Sequence, residues 1–161
     1  MKAWLTLTLA LAMVVPAHAG QDTLLGRQVP AAADAPSTAA TRTARGHYVL
    51  HCAGCHGLNG AGSRAAQVPD MRRLGDFLRV PGGRSFVLQV PGVMGSGLGD
   101  AEVAAVTNWV LGTLAGASLP PGTPPFTAAE VAQARRQPLV DVAATRRGIV
   151  QQAQAQGLAL E

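Results

Sequence analysis

Apolar positions recur along this chain in two ways, and each predicts a different kind of segment. Leu5 to Val15 is an almost unbroken apolar run, whereas further along the apolar residues return every three or four positions, the period of a helix buried on one side. Val103, Val106, Val110 and Leu114 form the clearest such stripe and predict a helix from Asp100 to about Ala115. Gly99 or Asp100 can cap it, and Glu102 sits in its first turn. Tyr48 and Cys52, four apart, predict a helix over Arg42 to Cys52. Met71, Leu74, Phe77 and Leu78 predict a short helix within Pro69 to Val80, which Pro81-Gly82-Gly83 breaks. "TAAE" at Thr127 to Glu130 is a capping box that opens another helix, and Pro138 interrupts it. Asp141 to about Gln156 reads as the last helix, ended by Gly157. Ser85 to Val90 is either extended or a single helical turn, while Gly57 to Val68 and Pro91 to Gly99 read as irregular loops. No internal repeat is visible, and the expected fold class is all-α.

The first apolar run is an address. Lys2 precedes it and Pro16-Ala17-His18-Ala19 follows, ending in the small-x-small pattern that signal peptidase cuts. It is too short for a bilayer core, which needs roughly 20 apolar residues. The expectation is a signal peptide over 1–19, cleaved near Ala19, and a mature chain in the bacterial periplasm with no membrane insertion. Residues 20–41, rich in Ala, Pro, Thr and Asp, read as a flexible leader. A compact domain over 42–118 and a Pro-rich linker with a helical C-terminal extension over 119–161 complete the expected organisation.

Charge narrows the partners. The net charge is +4, and Lys2, the only lysine, leaves with the signal peptide to give +3. A mild arginine excess without a basic run does not suggest nucleic-acid binding; at most it favours weak docking to an acidic partner. Aromatic residues make up only 4% of the chain, so a small core of this kind needs support from a disulfide, a metal or a cofactor.

That need points to "HCAGCHGLNG", residues 51 to 60, which holds the only two cysteines. Four uses of the cluster compete. Zinc needs four ligands, usually in two pairs, and here Cys52, Cys55 and His56 would need His47 or His51 as a fourth. A thioredoxin-like redox pair needs a βαβ context that the surrounding pattern lacks. A disulfide across two residues closes a tiny loop and constrains the unfolded chain little. Covalent haem attachment uses every residue: cysteines at i and i+3 project from one side of a helical turn, their thiols add to the two vinyl groups as thioethers, and the histidine at i+4 coordinates the iron. On this reading Cys52 and Cys55 hold one haem c and His56 is the proximal iron ligand.

A thioether sulfur is the natural sixth ligand of an electron-transfer haem, and past the signal peptide only Met71 and Met94 offer one. At this point the chain resembles the class I, mono-haem c-type cytochromes over roughly Thr43 to Ser118. "VPDM" matches that family's proline, a dozen or so residues after the haem motif. The resemblance implies that the Pro69 carbonyl accepts the His56 Nδ1–H and that Met71 takes the aliphatic position packing the haem. "GVMGSGLGDAEVAAVTNWVL" matches the family's ligand loop and C-terminal helix. This implies Met94 as the second iron ligand and an aromatic contact between Trp109 and Tyr48. The family usually has proline after the ligand methionine, where this chain has Gly95-Ser96-Gly97. Arg72, Arg73 and Arg84 are candidates to pair with the haem propionates, Arg84 foremost.

With both axial sites filled there is no vacancy for substrate, so the expected role is non-enzymatic. It is a periplasmic electron carrier that takes electrons from a dehydrogenase or quinol-oxidising complex and passes them to an oxidase or peroxidase. The alternative, kept open by the glycines around Met94, is a haem-based sensor or binder of small ligands with a labile sixth ligand.

Overall fold

A computed structural model describes residues 38–160; the expected signal peptide, and the leader up to residue 37, lie outside the described residues. Among the described residues the fold is all-α, with one isolated β-bridge between Ser63 and Val68. The helices are α1 (Thr38–His51), α2 (Ala53–His56), α3 (Leu74–Phe77), α4 (Gly83–Gln89), α5 (Pro91–Met94), α6 (Asp100–Thr113), α7 (Ala128–Arg135) and α8 (Val142–Ala155). A 3₁₀ turn at Met71–Arg73 leads into α3.

The long helices start where the sequence supplies partners for their first amide groups. Glu102 reaches back to accept the Gly99 N–H at 2.8 Å, which caps α6 from inside its first turn. At α7 the box is reciprocal: the Thr127 hydroxyl accepts from the Glu130 N–H at 3.2 Å, and Glu130 accepts from the Thr127 N–H at 2.9 Å. Asp141 accepts the Ala144 N–H at 2.8 Å and opens α8.

Two local expectations change. The segment expected to be extended or a single turn at Ser85 to Val90 lies in α4, which starts directly after Gly82 in the left-handed region, φ 78°. The loop expected from Pro91 to Gly99 begins with a helical turn, α5, because Pro91 at its first position already has helical φ and gives up no needed donor.

Helices α1 and α6 pack across each other. Tyr48, 1% exposed, meets Trp109 with ring centroids 5.1 Å apart and planes tilted by 42°, as the family layout implied. The same core continues beyond Ser118: Phe126, Val131, Ala134, Ile149, Ala153 and Leu160 are all buried in it. Helix α7 lies against α6 and α4, and α8 touches α4. Residues outside the cytochrome-like stretch therefore share its core instead of trailing from it.

Candidate functional site

The haem-motif segment folds as the i, i+3, i+4 argument requires. Helix α1 ends at His51, Cys52 forms the junction, and the His56 N–H donates to the Cys52 carbonyl at 3.0 Å. The chain after His56 is then pinned from three sides. The Tyr48 hydroxyl donates to the Gly57 carbonyl at 2.6 Å, the Met71 N–H to the Gly60 carbonyl at 2.7 Å, and the Gly62 N–H to the His56 carbonyl at 2.9 Å. Gly62 sits at φ 66°, and a Cβ there would lie 2.4 Å from the Pro69 carbonyl oxygen, so this close approach requires glycine.

That packing brings the Pro69 carbonyl to 3.1 Å from His56 Nδ1. A carbonyl can only accept, so Nδ1 carries the proton and Nε2 keeps its lone pair for a metal. Cys52, Cys55 and His56 all line a cavity of ≈ 400 Å³, within the range of small-molecule and cofactor sites. Its walls are mostly apolar: Leu74, Phe77 and Phe86 on one side, Val103, Val106 and Val110 of α6 on another, and Val90 and Val93 beside α5.

Both cysteines are free thiols, Cys52 half-buried and Cys55 exposed. Burial pushes the Cys52 thiol up from its ordinary value, which works against a reactive thiolate. Among the described residues no group of three or more His, Cys, Asp or Glu is arranged to hold a metal ion, so the zinc alternative finds no ligand set. Two thiols on one turn, an imidazole with its Nε2 lone pair available and an apolar cavity in front of them fit a haem. When bound, that group supplies a one-electron iron couple. Cys52 and Cys55 would hold it and His56 would ligate its iron.

The two methionines fall differently. Met71 lines the cavity and packs against the core. Met94 closes α5, half-buried, between the wall residues Val93 and Ser96; its own side chain is not part of the lining.

The three arginines expected near the propionates are all occupied away from the cavity. Arg72 forms a fork with Asp70, 2.6 Å at its closest, and holds that carboxyl below the ordinary aspartate value. Arg73 pairs with Asp76 at 2.7 Å and donates to the Ala159 carbonyl. Arg84, the preferred candidate, pairs with Glu130 at 2.7 Å, donates to the Pro124 and Pro125 carbonyls and lies 3.9 Å from the Phe126 ring centroid. Its role is to fasten the C-terminal extension. The arginine that lines the cavity is Arg146 of α8, which drew no expectation from the sequence because it lies beyond the cytochrome-like stretch.

No family model matches the chain. Cytochrome c-552 of Thermus thermophilus is 34% identical over 106 residues, covering 55% of this chain and 81% of the relative. A second cytochrome c-552, from a further strain of the same species, is 34% identical over 106 residues and covered to 72%. Identity of this degree over most of the relative's length joins a haem motif whose histidine is already oriented by a backbone carbonyl: the chain belongs to the c-type cytochromes.

Proposed function

We propose that this protein is an electron carrier with one haem c, bonded through thioethers to Cys52 and Cys55 and ligated by His56 and Met94. The observation that carries the reading is the His56 Nδ1 to Pro69 carbonyl contact at 3.1 Å, within a cavity that both cysteines also face. It fixes the ring's tautomer and orientation and makes Nε2 a better donor to iron, with no residue arranged for acid–base chemistry beside it. The apolar wall keeps water from the cofactor, so each change of iron charge reorganises little solvent. Met94 completes the ligand set from the loop before α6, and a thioether there raises the reduction potential.

The protein works in the periplasm after its signal peptide is cleaved near Ala19. It accepts electrons from a dehydrogenase or quinol-oxidising complex and delivers them to an oxidase or peroxidase through small, transient interfaces. No helix among the described residues is long and apolar enough to cross a membrane.

The second reading, a haem-based binder of small ligands, is favoured by one observation: Met94 stands outside the cavity lining, with Gly95 and Gly97 beside it. Absorption spectra of the exported protein, oxidised and reduced, with and without CO, separate the two. A low-spin spectrum indifferent to CO supports the carrier, and immediate CO binding by the reduced protein supports the ligand binder.

A further inference from the structure

We propose that Arg146, on helix α8, is the counter-charge for a carboxylate of the bound haem, so that the C-terminal extension completes the cofactor site. The inference rests on the haem reading above and deepens it.

Helix α8 is anchored by Ile149 and Ala153, 4% and 0% exposed. Val142 and Arg146 continue that side toward the N-terminus at helical spacing, and both line the cavity. The charged or ionisable residues of the lining, among the described residues, are His51, Cys52, Cys55, His56, Asp70 and Arg146. Asp70 has the wrong sign and is held by Arg72 at 2.6 Å. Arg146 is thus the one described lining residue with a permanent positive charge. Its guanidinium stands 5.8 Å from the ring centroid of Phe77, another wall residue, so apolar surface supports it where it meets the cavity.

Haem is apolar over most of its surface but carries two propionate carboxylates, and an ionised carboxylate leaving water needs a charged, hydrogen-bonding partner. A guanidinium fork matches a carboxylate with two parallel donors. The nearest competitors serve other partners: Arg84 holds Glu130, and Arg135 stands 2.7 Å from Asp100 while donating to the Leu98 carbonyl. An uncompensated propionate charge favours ferric iron. Arg146 offsets that charge, so it shifts the one-electron equilibrium toward the ferrous form.

The test is the midpoint potential of the intact holoprotein in wild type, Arg146→Gln, Arg146→Lys and Arg147→Gln, with covalent haem verified by mass in each. The expected result is a lower potential in Arg146→Gln, read as a several-fold fall in the reduced-to-oxidised ratio at fixed applied potential. Arg146→Lys should recover most of it, and Arg147→Gln, on the same helix but outside the lining, should leave it unchanged. Arg146→Met keeps the side-chain stem against Phe77 and replaces the glutamine variant if that one does not fold. An unshifted potential in the neutral variant, or an equal shift in Arg147→Gln, overturns the inference while the haem reading stands. A wild-type protein whose mass shows no haem overturns the haem reading itself.

Discussion

His56 and Pro69, thirteen residues apart, meet through one hydrogen bond, Nδ1–H to carbonyl oxygen, at 3.1 Å. The bond exists because the intervening loop folds tightly enough for Gly62 to touch the Pro69 backbone. The first prediction concerns that touch. Gly62→Ala combines a strained φ of 66° with a Cβ 2.4 Å from the carbonyl, so the loop must shift. The expected cost is about 1–3 kcal/mol of stability, read in urea melts, together with an altered midpoint potential as the His56 ring loses its fixed partner.

Cys52→Ala and Cys55→Ala should each remove most of the mature holoprotein, because each deletes one of the two attachment thiols. Denaturing gels stained for haem and intact mass give the answer. Wild-type protein that loses its haem on denaturation would contradict covalent attachment.

The methionines should separate cleanly. If Met94 ligates iron, the oxidised protein shows a weak near-infrared sulfur-to-iron band, and Met94→Ala removes it, admits CO and lowers the potential. Met71→Leu exchanges one cavity-lining apolar chain for another of similar volume, at a cost below about 1.5 kcal/mol, and should leave all three properties unchanged. Loss of the band in Met71→Leu alone would reassign the ligand to the methionine that faces the cavity.

Acid should loosen the extension through Glu130. Its carboxyl is held below the ordinary 4.5, first by the hydrogen bond from Arg84. The unfolded chain therefore takes up its proton at a higher pH than the folded one. The stabilisation is complete above 4.5 and fades as the pH falls through the lower folded value. The side chains of Arg84 and Glu130 are 30% and 38% exposed, so solvent screening limits the pair to about 0.5–1 kcal/mol. Urea midpoints of wild type and Glu130→Gln should differ at pH 7 and converge in acid. Asp70, held down by Arg72, titrates in the same direction, which is why the comparison must be made against the Glu130 variant.

The residues legible in advance were those whose neighbours lie nearby in the chain. The C-x-x-C-H turn, the Thr127–Glu130 capping box and the Val103–Val110 stripe each depend on contacts within a few positions. The Tyr48–Trp109 and His56–Pro69 pairings are more distant and became legible through the family pattern. The arginines were not legible. Arg84 sits where a propionate partner was expected, yet its carboxylate is Glu130, 46 residues on. Glu130 itself was read only as a helix cap, and nothing local marks that its other side faces an arginine. Arg146 lies in a helix whose apolar positions, Ile149 and Ala153, do not indicate which wall they will join.

The wall built by Val142 and Arg146 also sets an order of assembly. A chain that emerges N-terminus first presents Cys52, Cys55 and His56 long before α8 exists, so during that interval the pocket lacks one of its sides. The cysteines are reachable from the direction that α8 later covers, and the arrival of residues 142–146 shuts it. Timing along the chain, as much as the shape of the finished cavity, thus divides a stage at which a large planar group can be installed from a stage at which it is enclosed.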